Sequence, residues 1–577
     1  MGKIKEFFAK NKCDVACLGG LLLFFVVGVC LVWYVSGNFF YDCGREAILP
    51  KWVLEGKVLY KDIFGMYTPL SYQLNALFYL IFGQGGGSLD LLRAIGAGIS
   101  LFVILGCYSI SRLFVKPFYS MAICILILAT CVFGSLTCVN FIFPYAYAFP
   151  YALLGFVWFA YFTLLFLKFR NEKYLKFAAL CMGFSIANKA EFGLNIIPFL
   201  GLFIYKKVSV KTWISSVVCM LLPSVLSWGA LGLQGFTWVD FKEYLLFINR
   251  FFNTKEQRVF TEFISPKWDL DKVWKLSATF IGIVLYMGLG TLWAKCLSKK
   301  KTILVALLTS PIVLFATMIL FKKAVLNHIN IFSWLPVACI VMLIFNLFQV
   351  KTKKRWMINI LLIFSILTSA RLNFSFMGKG GYEIFLELFP LLTCLIWLLS
   401  SKLLRSERVK SALSVFFIVY SILFLLWSEM AVFGDFYTIK SQVGKFRTSV
   451  SLGNPAQKTI DWINSNTKPT DEIVVLPEGV MINFMTGRPS NPKFYHLIPN
   501  HISALGENKV VEGLAEHKPD YFIINNVSYL SYGKRYICKD FGFGICNFVN
   551  ENYDFVKRFG SGTKVYFFMD IYKKKSK

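Results

Sequence analysis

The feature that most constrains this chain is a series of apolar blocks, each about 20 residues long. Residues 17–35, 95–113, 121–138 and 411–433 are examples. An α-helix of that length crosses roughly 30 Å of hydrocarbon. The mean hydropathy is +0.59 and only 16% of the residues are charged. Because a soluble chain could not bury so much apolar surface, the sequence predicts a polytopic α-helical membrane protein.

The distribution of basic residues predicts the topology. The formal net charge is +29, but the lysines and arginines form short clusters between apolar blocks, as in cytoplasmic loops. We therefore expect the bilayer, and not nucleic acid, as the surrounding partner. The basic start MGKIKEFFAKNK lacks a cleavage site, which favours a retained signal-anchor with the N-terminus in the cytoplasm. The charge alternation gives about 13 transmembrane helices if 70–82 lies at the interface, although 174–190 and 192–205 could form a re-entrant pair.

This topology divides the chain into two parts. Residues 1–433 form the membrane domain, with a first outside loop at 37–91, and 236–275 reads as an amphipathic interface helix. Residues 434–577 form a small extracytoplasmic α/β domain, with a helix at 454–464 and strands at 472–476, 521–525 and 564–569. Cys538 and Cys546 in this domain could form a disulfide or remain free thiols. We expect a multi-pass protein of the cell membrane.

Two carboxylates follow the first span. Asp42 lies just beyond its outer end, beside low-dielectric lipid, where a carboxylate can be tuned to act as a general base toward a hydroxyl or an amine. Glu46 is the second candidate. The alternative is that both are solvated loop charges that pair with Arg45 and Lys61.

Basic residues at predicted outer helix ends form a second group of candidates. They run against the positive-inside bias, so they suggest an anionic ligand such as a phosphate, although headgroup contact or snorkelling explains any single one. No metal ligands are predicted, because His496 and His501, around Pro499, look like ordinary loop histidines. The candidates are Arg93, Lys189, Lys322, Lys323, His328 and Arg371, together with Tyr382, which lies in the same predicted outside loop as Arg371.

Several short motifs, taken in order, resemble the GT-C superfamily of membrane glycosyltransferases. The branch is the one that contains protein O-mannosyltransferases and the lipid A aminoarabinose transferase. The motifs are Asp42 with Arg45, Gly56-Lys57-Val58-Leu59-Tyr60-Lys61-Asp62 before Pro69, Phe82-Gly83, Leu91-Leu92-Arg93, Asn188-Lys189-Ala190-Glu191 and Phe321-Lys322-Lys323. The motif Leu476-Pro477-Glu478-Gly479 looks like part of the extracytoplasmic tail of many bacterial members of this superfamily. It could form a structural turn or contact the acceptor.

The resemblance implies a glycosyltransferase of the hexosyl or pentosyl kind that uses a polyprenyl-phosphate-linked sugar as donor. The acceptor would be an extracytoplasmic lipid, glycan, wall polymer or protein, and the configuration would invert. Asp42 would be the catalytic carboxylate, Arg93 and Lys189 with Lys322 or Lys323 would hold the donor phosphate, and Arg45, Asp62 and Glu191 would also bind substrate. Several relatives have Asp-Glu where this chain has Asp42-Cys43, so the second carboxylate of that motif is missing here. Whether the enzyme uses a divalent cation as a cofactor therefore stays open.

Two other functions fit the same composition. A transporter or flippase of lipid-linked saccharides would also be polytopic, although such proteins often place polar, broken helices near the bilayer midplane in two related halves. An inactive structural member of a wall-assembly complex is the third alternative.

Overall fold

The structure is a computed structural model. It describes residues 12–134, 140–264, 285–320 without 287, 291 and 294, 335–349, 352–370, 384–432 without 402, 403 and 405, 436–560 without 492, and 567–576.

Helices make up the N-terminal three quarters of the described chain. A π-helical turn, Leu128–Val132, extends α5, and a 3₁₀ turn, Ala190–Asn195, precedes α8. The helices are α1 Lys12–Val32, α2 Cys43–Leu54, α3 Pro69–Phe82, α4 Ser88–Arg112, α5 Pro117–Ile127, α6 Ala148–Phe169, α7 Lys173–Asn188, α8 Ile196–Tyr205, α9 Val210–Leu233, α10 Trp238–Asn253, α11 Lys255–Ile264, α12 Lys299–Leu320, α13 Leu335–Leu347, α14 Lys353–Thr368, α15 Ile384–Ser400 and α16 Glu407–Val432.

Five described helices are long and apolar enough to cross a membrane, namely α1, α4, α6, α9 and α16. Shorter apolar helices lie among them, including Ala190–Tyr205 and Leu335–Leu347. These helices confirm a multi-pass membrane protein. The count of about 13 spans, the re-entrant alternative and the orientation of the termini stay predictions.

The stretch predicted at the interface forms α3, a helix of 14 residues. Pro69 begins it, since proline tolerates the first helical position, and Gly83 at φ 91° ends it. One face carries the exposed side chains of Leu80, Ile81 and Phe82. The hydroxyl of Tyr79 on the other face donates to the carbonyl of Ala47 in α2, at 3.1 Å. Helix α3 is thus amphipathic and packs on the first loop, as an interface helix would.

The predicted amphipathic segment begins as α10 and α11. Thr237 and Asp240 form a capping box at the start of α10, in which each side chain accepts from the other's backbone N–H. Phe251 packs against His501 of the C-terminal domain, with ring centroids 5.0 Å apart, while Trp238 and Leu246 are exposed. The predicted segment beyond residue 264 lies outside the described residues.

The C-terminal region contains the predicted sheet. A four-stranded sheet has the order β3-β4-β6-β5; β3 and β4 are parallel, and β6 pairs antiparallel with both neighbours. A separate hairpin, β1-β2, follows α16 in the chain. The elements are β1 Phe436–Ser441, β2 Gly444–Ser449, α17 Val450–Asn466, β3 Ile473–Leu476, α18 Met481–Thr486, α19 Pro499–Leu505, α20 Glu507–His517, β4 Tyr521–Asn525, a 3₁₀ turn Leu530–Tyr532, α21 Phe543–Asn552, β5 Tyr553–Phe559 and β6 Met569–Lys574.

Two local predictions in this region need correction. The helix predicted at 454–464 begins at Val450, because it starts directly where β2 ends, and it runs to Asn466. The strand predicted at 564–569 is β6, which runs from Met569 because its register with β4 fixes its bounds; residues 564–566 lie outside the described residues. Cys538 and Cys546 form a disulfide, with Cα atoms 5.6 Å apart.

Candidate active site

Asp42 has an unusual backbone conformation between α1 and α2. Its φ is +27°, a region that non-glycine residues adopt at a cost of roughly 1–3 kcal/mol and that is concentrated at functional sites. The side-chain oxygen of Asn38 accepts from the N–H groups of Phe40 and Tyr41 and so shapes the preceding turn. The N–H of Asp42 donates to Oε1 of Glu478, at 3.1 Å. The surrounding structure therefore fixes this conformation.

A buried arginine joins the two predicted carboxylates. Arg45 is 2% exposed; its Nη1 lies 2.8 Å from Oδ1 of Asp42, and its Nε lies 3.3 Å from Oε1 of Glu46. Its Nη2 donates to the carbonyl of Tyr145, at 2.7 Å. Oε2 of Glu46 accepts from the N–H of Tyr147, at 3.0 Å. The carboxylates are therefore members of one buried network, and the alternative of solvated loop charges is wrong for Glu46, which is 1% exposed.

Asp42 is the accessible member of this network. Its side chain is 23% exposed, and Oδ2 has no hydrogen-bond partner in the part of the chain that the structure describes. Burial raises the pKa of Asp42, the adjacent Arg45 opposes that shift, and the charge of Glu478 adds to it. Burial also raises the pKa of Glu46, to about 7, against the influence of Arg45. A carboxylate with a raised pKa and one free oxygen is a stronger base than an ordinary aspartate.

A second cation lies against the same aromatic ring as Arg45. Lys189 Nζ is 4.7 Å from the ring centroid of Tyr67 and 4.3 Å from that of Phe149, and the Arg45 guanidinium is 5.4 Å from the same Tyr67 ring. Lys189 Nζ also lies 3.5 Å from Oε1 of Glu191. The predicted residues Lys189 and Glu191 are thus brought to the Asp42 network, through Tyr67.

The C-terminal domain adds a third carboxylate. Besides the N–H of Asp42, Glu478 accepts from the hydroxyl of Tyr529, at 3.2 Å. Its Oε1 lies 3.1 Å from Nδ1 of His496, and its carbonyl accepts from the side chain of Asn525, at 2.6 Å. Glu478 and His496 are 6% and 5% exposed. The tail motif, which the sequence left open as a turn or an acceptor contact, is therefore a direct neighbour of Asp42.

The domain is held against α2 by close packing. An added Cβ on Gly44 would lie 2.6 Å from the backbone nitrogen of Met481 in α18, so only glycine permits this approach. The hydroxyl of Tyr495 donates to the carbonyl of Phe64 in the first loop, at 2.7 Å. Burial lowers the pKa of His501, which packs on the Phe64 ring. These contacts fix Glu478 relative to Asp42.

Two predicted residues lie elsewhere in the fold. Arg93 is fully buried; its Nη1 lies 2.9 Å from Oδ1 of Asp90, and its Nη2 donates to the carbonyl of Lys445 in the hairpin, at 2.8 Å. Asp62 accepts from the N–H of Val58, at 2.9 Å, and so closes a loop turn. The roles predicted for both in substrate binding stay predictions.

Five predicted residues lie outside the described residues, namely Lys322, Lys323, His328, Arg371 and Tyr382. Within the described ranges, no three His, Cys, Asp or Glu residues are arranged to hold a metal ion. Sequence reasoning missed Glu478, His496, Tyr67 and Tyr529. The available signal was the tail motif around Glu478, whose relation to Asp42 needs the fold.

Known structures of similar architecture are membrane glycosyltransferases. ArnT from Cupriavidus metallidurans, solved with undecaprenyl phosphate, is 10% identical and has a TM-score of 0.43; the match covers 97% of this chain and 98% of that one. The oligosaccharyltransferase AglB from Archaeoglobus fulgidus, solved with an inhibitory peptide and a dolichol-phosphate, is 12% identical and has a TM-score of 0.47. That match covers 99% of this chain and 75% of AglB. The arabinofuranosyltransferase AftD from Mycobacteria is 12% identical and has a TM-score of 0.44. That match covers 96% of this chain and 40% of AftD.

All three are GT-C superfamily enzymes, the class that the motifs resemble. No protein-family profile and no curated protein sequence matches the chain. Since the TM-scores stay below 0.5, the function of this chain has to be inferred from its own residues.

Proposed function

We propose that this protein transfers a sugar from a polyprenyl-phosphate donor to an acceptor on the extracytoplasmic side of the membrane. The observation that carries the proposal is the Asp42 carboxylate. One of its oxygens is held by Arg45 at 2.8 Å, and the side chain stays 23% exposed just beyond the end of an apolar helix. That is where the phosphate of a membrane-embedded lipid meets a water-soluble or lipid acceptor.

The proposed reaction is a single displacement. The free oxygen of Asp42 takes the proton from the acceptor hydroxyl or amine, whose lone pair forms a bond to the anomeric carbon. The bond between that carbon and the phosphate oxygen breaks, and polyprenyl phosphate leaves with both bonding electrons. One attack on one face inverts the configuration, and it needs one base.

Cations would stabilise the leaving group. Negative charge grows on the phosphate in the transition state, and fixed positive charge placed there lowers the barrier. Among the predicted phosphate-binding cations that the structure describes, Lys189 is the candidate beside the Asp42 network. It lies against the same Tyr67 ring as Arg45, and its side chain is 14% exposed. Arg45 itself would fix the carboxylate, because it is committed to Asp42, Glu46 and the Tyr145 carbonyl.

The function is tested with the purified full-length protein and polyprenyl-phosphate hexoses and pentoses. We expect release of polyprenyl phosphate that depends on the sugar and accelerates with an acceptor such as a lipid or glycan extract of the cell envelope. Mass spectrometry of the lipid fraction detects the product. Movement of intact donor across vesicle membranes without cleavage would contradict the proposal and favour the flippase.

Glu478→Gln tests the contribution of the C-terminal domain to the base. Asp42 must be ionised to accept a proton, so activity falls as the pH drops through its pKa. Because the charge of Glu478 helps to raise that pKa, the substitution should move the acid limb of the pH–rate profile to lower pH. The profile is compared with that of Glu512→Gln, a change at an exposed position on α20. An acid limb that stays in place would show that Glu478 is electrostatically uncoupled from catalysis.

A further inference from the structure

A basic groove lies between the end of α1 and the β1-β2 hairpin, apart from the Asp42 network. Its volume is about 660 Å³, within the range of about 300–1,000 Å³ typical of small-ligand sites. The described lining includes Tyr34, Tyr437, Lys440, Lys445, Arg447 and Gln457, and it contains no aspartate or glutamate. The groove therefore concentrates positive charge around an open volume.

The hairpin places its three cations together. Lys440 and Lys445 are directly paired across the strands, and Arg447 is paired with Thr438, two residues away on the same face. Like charges directly opposite each other in an antiparallel pair are destabilising. No carboxylate lies within ion-pair distance of Lys440, Lys445 or Arg447 in the part of the chain that the structure describes. An anion bound by these three side chains would offset this repulsion.

Two carboxylates close to the groove, those of Asp90 and Asp461, have other hydrogen-bond partners. Asp90 accepts from the indole N–H of Trp33, at 2.8 Å, and pairs with Arg93. Asp461 accepts from the side-chain amide of Gln457, at 2.8 Å. Neither neutralises the hairpin cations, so the charge of the groove is available to a ligand.

The groove lies at the end of α1, a helix that is long and apolar enough to cross a membrane. Tyr34 follows the last residue of α1 by two positions, and Phe436 follows the last residue of α16 by four. The N–H of Arg447 donates to the carbonyl of Tyr34, at 2.9 Å, and fixes the hairpin to the end of α1. Tyrosine is enriched at the membrane–water interface. The groove is therefore placed at the depth of lipid headgroups.

We propose that this groove binds the phosphate of an anionic phospholipid, with Lys440, Lys445 and Arg447 around the headgroup. The groove lining shares no residue with the Asp42 network, and this proposal does not depend on the transferase proposal. The phosphate is the shared chemistry of a headgroup and of free phosphate. The position at the end of α1 and the aromatic lining favour the lipid.

The test is native mass spectrometry of the full-length protein in detergent with equimolar phosphatidylglycerol and phosphatidylcholine. We expect wild type to retain phosphatidylglycerol preferentially. Each basic residue near a membrane surface contributes about 1 kcal/mol, so K440Q/K445Q/R447Q should bind it about 100-fold more weakly. Lys440→Gln alone, at an exposed position, should weaken binding about fivefold by the same conversion. The single variant keeps the test valid if the triple variant unfolds.

The matched control is K458Q/K468Q/K509Q, which removes three exposed charges of the same domain outside the groove lining. It should bind phosphatidylglycerol as wild type does. Equal loss in the control, or equal retention of the two lipids by wild type, would overturn the site. Inorganic phosphate at millimolar concentration should not displace the lipid; full displacement would assign the groove to free phosphate and overturn the lipid assignment.

Discussion

Asp42→Asn is expected to lower the transfer rate by about 10²- to 10⁴-fold, the usual contribution of a general base. Asparagine matches the shape of aspartate and keeps the oxygen that faces Arg45 at 2.8 Å, but it cannot accept the acceptor's proton. The measurement is the initial rate of polyprenyl-phosphate release with donor and acceptor both saturating. Donor binding, measured without acceptor, should change far less than the rate.

The matched control for this variant is Glu55→Gln. Glu55 follows the end of α2, is 46% exposed and lies 3.9 Å from Lys51 in a surface pair, so its replacement should leave the rate unchanged. Asp42→Glu should restore part of the activity, because it returns a base in a displaced position. A fully active Asp42→Asn protein would remove Asp42 from the proposed mechanism.

Arg45→Met is expected to destabilise the protein by roughly 3–5 kcal/mol, the range for removing one partner of a buried ion pair. The substitution leaves the carboxylates of Asp42 and Glu46 without their shared cation and removes a hydrogen bond to the Tyr145 carbonyl. The midpoint of thermal unfolding, followed by tryptophan fluorescence at a fixed scan rate, should fall. Arg45→Lys should be intermediate, because it keeps the charge but loses the planar fork.

The destabilisation caused by Arg45→Met should depend on pH, and Glu46 determines whether it grows or shrinks as the pH rises. Its pKa in the folded protein, about 7, is above the ordinary value of 4.5, so its contribution to stability is complete at low pH and is lost as the pH rises through 7. Without Arg45, which lowers this pKa, the folded carboxyl should protonate still more readily. The destabilisation should therefore be smaller at pH 5 than at pH 8.

Arg535→Met is the control for the arginine. The side chain is exposed, and surface substitutions of this kind usually change stability by less than about 0.5 kcal/mol. Equal stability of Arg45→Met and Arg535→Met at pH 8 would show that the buried network contributes little to the fold.

Local features of the sequence predicted much of the membrane domain. Whether a block of 20 apolar residues crosses a bilayer depends on its own length and composition, so α1 and α4 could be recognised without their neighbours. Helix α3 was predictable in the same way, because 14 residues with proline at the start and glycine at the end are too short to span. Asp42 and Arg45 lie within one helical turn, so their pairing also follows from local spacing.

The remaining features depended on contacts between residues far apart in the chain. Glu478 reaches Asp42 across 436 positions, and such a pairing has no sequence periodicity to reveal it. Arg93 looked like a free outer cation, yet its partners include the carbonyl of Lys445, 352 positions away. The hairpin that supplies this carbonyl was not predicted either, since its six-residue strands carry mixed polar and aromatic residues.

The sequence by itself determined that the chain enters a membrane and that a carboxylate follows its first span, because hydrophobic transfer and charge placement act residue by residue. Only the tertiary structure decided which groups surround that carboxylate. Burial, a raised pKa and a shared cation arise when distant segments exclude water together, and close packing such as that of Gly44 against Met481 sets those distances.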